Sequence, residues 1–349
     1  MAMAQLPQDL IEEILSWLPV KSLMRFRCVS RTWNSLIFQA HFVKLNLQRS
    51  SRNTHVLLRC QINTVFEDMR DLPGIAPCSI CSLLENPSST VDNGCHQLDN
   101  RYLFIGSCNG LVCLINMVAR GEFSEYRVWF CNLATRIMSE DSPHLCLRTC
   151  NYKLWWYQVK CGFGYDDRSD TYKVVLVLSN IKSQNREVRV HRLGDTHWRK
   201  VLTCPAFPIL GEKYLNKKTF KYLLMPNGLS QVPRGPELGV LKGCLCLSHV
   251  HRRTHFVVWL MREFGVENSW TQLLNVTLEL LQAHLPCVIL KPLCISENGD
   301  VLLLANYISS KFILYNKKDN RIVYTQDFNN QVPMSSHDYI QSLVLPYGN

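Results

Sequence analysis

No stretch of this 349-residue chain is long and apolar enough to cross a membrane as a helix. Such a span takes about eighteen or more consecutive apolar residues, and the longest candidate, Lys173 to Ile181 (KVVLVLSNI), has only the length of a strand. A secretory leader is not expected either, because Asp9, Glu12 and Glu13 interrupt the apolar region near the N-terminus. The expected address is therefore the cytoplasm, the nucleus or both, and the sequon Asn275-Val276-Thr277 is expected to go unmodified.

Charge is sparse as well. Charged residues make up 19% of the chain against 47% hydrophobic ones, the balance of a globular protein rather than a disordered one. Acidic residues are outnumbered 28 to 38, giving a net charge of +10. The basic residues nevertheless fall in isolated doublets, Lys217-Lys218, Arg252-Arg253 and Lys317-Lys318, with no RNA-recognition, zinc-finger or basic-helix signature around them. Nucleic acid is not an expected partner; a solvated basic surface, or one attractive to an acidic protein, is.

Catalytic and metal-binding spacings are missing too. There is no nucleophile elbow, no His-Glu-x-x-His and no P-loop. Gly162-Phe163-Gly164 lacks the third glycine and the following helix of a phosphate loop. Asp166, Asp167 and Asp170 hint at a calcium loop, but Thr171 and Val177 stand where such a loop needs glycine and a bidentate glutamate. Cysteine is plentiful at 16 residues, yet only Cys78-Ser79-Ile80-Cys81 has the two-residue gap of a zinc knuckle, and no second pair completes it. Most other cysteines lie inside apolar runs such as Leu111-Val112-Cys113-Leu114 and Cys244-Leu245-Cys246-Leu247, as small hydrophobes. His191, His249 and His255 lie on strand-like runs and read as packed or surface residues. No metal and no cofactor is expected.

What is present divides in two. From about residue 54 onward the chain is a series of short runs rich in β-branched and aromatic residues, among them RYLFIGS, GLVCLI, YRVWFCN, YKVVLVL, GCLCLSHV, HFVVWLM, DVLLLAN and KFILYN. Gly, Asn, Asp or Pro punctuates the junctions, as at Cys108-Asn109-Gly110 and Glu297-Asn298-Gly299-Asp300. Residues 67 to 97 read as a long loop with one short strand. Weak internal echoes favour a propeller over a sandwich. Gly110 to Leu114 resembles Gly243 to Leu247 at an offset of 133, and Val128 to Ile137 resembles Ile313 to Ile322, Asn132 matching Asn316 at an offset of 184. Taken as three and four units of roughly 45 residues, these offsets predict about six blades. Trp129, Trp155, Trp156, Trp198, Trp259 and Trp270 are expected to wedge between them.

The first forty residues are different. Behind Pro7, the residues Leu10, Ile11, Ile14, Leu15 and Leu18 recur at helical spacing, opposite Gln8, Asp9, Glu12 and Glu13. Pro19 stops that helix, and Ser22 can cap a second with Leu23, Phe26 and Val29 on one side. Ser30 can cap a third carrying Trp33, Leu36, Ile37 and Phe38, and the segment is expected to end near Phe42. Burying ten or so such side chains is worth roughly 1.5 to 3 kcal/mol each, yet forty residues rarely sustain a core alone. Some of this surface calls for a partner.

The residues that carry this pattern are Leu6-Pro7, Ile14-Leu15, Leu18-Pro19-Val20-Lys21-Ser22-Leu23 and Arg25 through Trp33 (RFRCVSRTW). They resemble the F-box, the three-helix motif that docks on the Skp adaptor of SCF (Skp, cullin, F-box) ubiquitin ligases. An ordinary helical cap on a larger domain would explain the apolar period but not the Leu-Pro openings of both helices. The later segments CNGLVCL, VWFCNLATRIM, CGFGYDDRSDTYKVV, GCLCLSHV, PLCISENGDVLLL and FILYNKKDNRI are similar, in that order, to the F-box-associated, kelch-like domain of plant F-box proteins, a family that includes S-locus F-box proteins. Two departures, Leu133 in place of the usual Pro and Asp167 where that family often has Pro, are expected to weaken turns.

The resemblance implies a mainly β chain with a small N-terminal α domain: an F-box at residues 1–48, then a kelch-like β-propeller at 49–349. It implies a non-catalytic subunit that bridges a Skp-type adaptor, and through it a cullin and a RING subunit, to a protein substrate whose identity and binding site stay unknown. The implied adaptor contacts are Leu6, Pro7, Leu10, Ile14, Leu15, Leu18, Pro19 and Leu23, with Phe26, Val29 and Trp33 shared between the partner and the link to the propeller. Two alternatives stay open: an interaction protein that binds the adaptor without degrading anything, and a propeller enzyme.

Overall fold

A computed structural model describes residues 6–50, 55–62, 74–85, 96–97, 102–120, 123–148, 159–180, 185–205, 226, 236–282, 289–306, 310–324 and 331–347. The N-terminal segment folds as four short helices, α1 (Gln8–Ser16), α2 (Val20–Phe26), α3 (Arg31–Ile37) and α4 (Ala40–Arg49). Pro7 and Pro19 hold the N-cap positions of α1 and α2 with φ of −51° and −57°. The Pro7 carbonyl accepts from the amides of Leu10 and Ile11, and the Pro19 carbonyl from those of Ser22 and Leu23. Proline suits these sites because its φ is preset and its missing N-H would have no helical partner. Ser22 therefore does not cap α2: the proline has displaced the start of the helix three residues upstream, and Ser22 lies inside it. Ser30 does cap α3, its Oγ accepting from the Trp33 amide at 3.1 Å.

The fourth helix extends beyond the expected end at Phe42, which is itself fully buried. Asn46 explains why α4 belongs with the others. Its Nδ2 donates to the carbonyls of Ser16 at 2.9 Å and Leu18 at 3.2 Å, satisfying the open C-terminal end of α1.

Among the described residues the remainder is chiefly β-sheet. After β1 (His55–Ile62) and β2 (Gly74–Ser79) come a helix α5 (Ile80–Glu85) and the short strand β3 (His96–Gln97). For residues 74–85 the reading as loop is thus corrected, since Ile80 and Leu83 recur at helical spacing and are buried together; residues 67–73 and 86–95 lie outside the described residues. The next sheet runs β4 (Tyr102–Cys108), β5 (Leu111–Arg120), β6 (Phe123–Asn132) and β7 (Ile137–Met138), with β8 (Leu145–Arg148) paired on the far end of β6. Then follow β9 (Val159–Asp166), β10 (Thr171–Asn180), β11 (Asn185–Arg192) and β12 (Arg199–Pro205) as one meander. Another comprises β13 (Glu237–Leu241), β14 (Cys244–His251), β15 (His255–Met261) and β16 (Trp270–Thr277). The last consists of β17 (Ile289–Ile295), β18 (Val301–Asn306), β19 (Ser310–Asn316) and β20 (Arg321–Tyr324). The final strand, β21 (Gln331–Tyr339), returns to pair with β1, in the order β21-β1-β2-β3.

Successive four-stranded meanders are the units of a propeller-like body. Five such sheets occur among the described residues, against the six or so expected. The internal echoes fall at equivalent places in the sheets. Gly110 and Gly243 each precede the second strand of a sheet, and Asn132 and Asn316 each close a third strand. The echoes mark shared turn chemistry. Asn109-Gly110 and Lys242-Gly243 have positive φ at both positions, as tight hairpins demand. Asn132 Oδ1 accepts from the amides of Ala134 and Thr135, and Asn316 Oδ1 from those of Lys318 and Asp319. These side-chain bonds hold the turn in which Leu133 replaces proline. Asp166 does the same at the Asp167 turn, through the Arg168 amide and Ser169 Oγ.

The chain divides into two compact units, one comprising Met1–His55, Leu98–Ala206 and Tyr339–Asn349, the other Val56–Gln97 and Phe207–Asp338. In the first, Cys113, Ile115, Tyr126, Val128 and Phe130 from one sheet pack on Val174, Leu176 and Trp198 of the next. In the second, Val258, Leu260 and Leu274 meet Leu290, Leu303 and Ile313. Trp198 thus wedges between sheets as expected, its Nε1 donating to the Pro143 carbonyl at 2.8 Å. Trp129 is buried and Trp259 and Trp270 half-buried, while Trp155 and Trp156 lie outside the described residues.

His191 is a core residue of the first unit, its ring 5.1 Å from Trp198 and 6.4 Å from Phe130 between centroids. Burial lowers its pKa, outweighing the opposing pull of Asp195 and of the His197 backbone. A histidine lowered in the folded state stabilises fully above its ordinary pKa, and that stability is lost as pH falls below about 6.5. His55, His249 and His337 shift the same way, whereas Asp338, raised to about 6 by burial, acts against them. Thermal melting followed by circular dichroism should therefore fall more steeply between pH 7 and pH 5 for the native chain than for a His191→Gln variant. Parallel pH profiles would refute this role for the ring.

Candidate functional site

The chemistry-bearing residues singled out in the sequence are absorbed by structure. The thiols of Cys113, Cys131 and Cys246 are buried, which drives their pKa values up, to about 12 for Cys131 and Cys246, so none is a ready nucleophile. Cys78 is buried while Cys81 is exposed. Asp166 pairs with Lys173 and Asp170 with Lys44 and Tyr165, and Gly162-Phe163-Gly164 is a stretch of β9. Among the described residues no group of three or more His, Cys, Asp or Glu is disposed to hold a metal ion.

The N-terminal helices are another matter, because α1 carries two apolar stripes. One turns inward. Leu15 and Leu23 are 2% and 0% exposed and share a core with Val20, Leu36, Ile37 and Phe42, against which Ile11, Leu18, Phe26 and Trp33 are partly packed. Phe26 and Trp33 meet edge to face at 5.7 Å. The other stripe faces outward: Leu6 is 59% exposed, Leu10 50%, Ile14 54% and Trp17 64%, and Val29 in the turn between α2 and α3 is 65% exposed. Pro7 and Pro19 are exposed beside them.

The eleven residues proposed for one interface thus separate into two roles. Leu6, Pro7, Leu10, Ile14, Pro19 and Val29 lie open to a partner. Leu15 and Leu23 are interior residues that support this surface, and Leu18, Phe26 and Trp33 stand between. Sequence reasoning missed Trp17, although its spacing of three from Ile14 places it on the same stripe. Its position is fixed. The Arg49 guanidinium lies 4.7 Å from the ring centroid, and Trp17 Nε1 donates to Glu13 Oε1 at 3.2 Å. Arg49 in turn pairs with Glu13 at 2.8 Å, and this pairing, then the Trp17 bond, lowers the Glu13 pKa. A large aromatic ring held in place at the surface loses little freedom when something covers it, the physical profile of a binding anchor.

Residues 3–45 match the F-box domain. An F-box/kelch-repeat protein of Arabidopsis thaliana is 28% identical over 98% of this chain and 96% of its own length. The F-box protein CPR1 of Arabidopsis thaliana is 25% identical over 78% of this chain and 73% of its own. Among solved structures, the β-propeller domain of the Trilobed protease from Pyrococcus furiosus is 11% identical, covering 65% of this chain and 72% of that one with a TM-score of 0.30, too low to weigh in the argument. The chain thus carries an F-box domain on its N-terminal helices and is similar to plant F-box proteins along nearly its whole length.

Proposed function

We propose that the chain is the substrate-recognition subunit of an SCF ubiquitin ligase, that the outward stripe of α1 with Pro19 and Val29 docks a Skp-type adaptor, and that the β-sheet body holds a protein target. The F-box and the F-box/kelch relatives support a substrate-recognition role in SCF complexes generally, as a non-catalytic subunit. The observation that carries the finer reading is the set of large apolar side chains, Leu6, Leu10, Ile14, Trp17 and Val29, left in water on helices whose own core is already filled. Covering the exposed halves of five such side chains is worth on the order of 1 kcal/mol each before the costs of association. That is a useful share of the ~8 kcal/mol of a micromolar complex.

The adaptor brings the cullin and the RING subunit, and the conjugating enzyme they recruit performs the transfer. This chain's contribution is proximity: a target held beside the charged ubiquitin reacts as within one molecule. Such a subunit works where the ligase does, in the cytoplasm, the nucleus or both.

The division of roles on α1 fixes the test. Leu10→Asp with Ile14→Asp places two charges in the proposed interface but on the surface of the free chain. Co-precipitation of a Skp-type adaptor should fall by about a thousandfold in affinity, while the circular dichroism melt stays that of the native chain. Leu15→Asp, by contrast, buries an unpaired charge and should unfold the helices whether or not an adaptor is present. Adaptor capture that survives the double change would end the assignment.

A second expectation concerns the target. Affinity purification under proteasome inhibition should retain a common set of proteins on the native chain and on the Leu10→Asp, Ile14→Asp variant. Without the inhibitor, those proteins should accumulate in cells overexpressing the variant, because it binds them without delivering them. Equal turnover in both cases would count against degradation as the outcome.

A further inference from the structure

We propose that residues 340–344 are a strap that completes the interior of the helical domain and fixes its orientation on the sheets β4–β8 and β9–β12, so that the two ends of the chain act as one positioning element. The proposal rests on the reading of these helices as the adaptor-binding part and adds what holds them in place.

The strap lies in a built slot. One wall is the Asn109-Gly110 turn between β4 and β5. Gly110 has φ of +82°, and a Cβ there would stand 2.2 Å from Ser342 Oγ and 2.8 Å from the Ile340 carbonyl oxygen, so only glycine lets the strap pass this close. Ser342 Oγ donates to the Asn109 carbonyl at 2.6 Å and accepts from the Val344 amide at 3.2 Å. The other wall is the turn after β6. Asn132 Nδ2 donates to the carbonyls of Ser342 at 2.9 Å and Val344 at 2.8 Å, while its Oδ1 accepts from Ala134 and Thr135. Asn132 and Ser342 are both fully buried, where each such bond would be costly to leave unmade.

Between the two residues that Asn132 grips, Leu343 turns to the other side. It is 1% exposed and belongs to the same core as Leu15, Val20, Leu23, Leu36, Ile37 and Phe42. Ala134, from the turn that holds the strap, is packed against that core as well. The helical interior therefore contains a residue from the far end of the chain, seated by hydrogen bonds to the sheet. The ion pair of Lys44 with Asp170, 2.7 Å apart, also joins α4 to the β9–β10 turn, but both side chains are about half exposed and such pairs contribute little. Orientation rests on the strap. For a subunit that works by proximity, a fixed orientation sets how often a bound target meets the transferring enzyme.

The test is amide hydrogen exchange, read by mass spectrometry on the full-length chain alone. In Leu343→Ala and Asn132→Ala variants, amides of α1 to α4 should exchange at least about tenfold faster, while those of β14 and β15 in the other compact unit keep native protection. Leu343→Met, which preserves volume, should restore helix protection. Where the larger changes expose β14 and β15 too, Ser342→Ala removes slot bonds and no apolar contact; it should speed the helices alone by a few-fold. Helix exchange that stays native in Leu343→Ala and Asn132→Ala, or in Ser342→Ala where that variant decides, overturns the strap. Failure of the native chain to capture a Skp-type adaptor would overturn the adaptor reading instead, and the exchange result would still stand.

Discussion

Four helices of seven to ten residues cannot close an interior among themselves, and everything else about this N-terminus follows from that shortage. The shortage is met from two directions. From within, Leu343 fills the core and Asn46 ties the end of α1 to α4. The surface left over is concentrated on one stripe of α1 rather than scattered, and Arg49 and Glu13 order its largest member, Trp17, before any partner arrives. A helix pair with a surplus of apolar faces is a liability in a free chain and an asset in a subunit.

The sheets solve a different problem. Each must turn sharply several times, and the turns are specified locally by asparagine, aspartate and glycine. Asn132 and Asn316 close equivalent strands with equivalent bonds, yet only Asn132 is also used to grip another segment. A residue that is generic to the repeat has acquired a second task where the segment that packs on the helices crosses the sheet. Cys113, Cys131 and Cys246 illustrate the opposite economy: they are packed as small apolar groups, and the burial that suits packing also raises their pKa values and lowers their reactivity.

The two apolar stripes of α1 show how function divides from stability. Leu15 and Leu23 are buried in the helical core, while Leu10, Ile14 and Trp17 are exposed on the side that the proposed docking would cover. Residues one position apart in sequence, Ile14 and Leu15, thus carry different tasks because they project from different sides of the helix.

Much of this was legible in the order of residues. Helical spacing, the two Leu-Pro openings and the Ser30 cap located the helices, and the alternation of β-branched runs with Asn, Asp and Gly located the strands, because these are local preferences written within a few residues. The repeat of turns at Gly110 and Gly243 was visible too, because each is written within a few residues. Spacing alone could place Leu10, Ile14, Leu15 and Leu23 on apolar faces without saying which face is covered. That depended on Phe42 and Leu343, about 300 residues apart, meeting in one core, and on Gly110 and Asn132 holding a passage for the last residues. Contacts between such distant segments are set by how the sheets stack, and only the tertiary structure decides them.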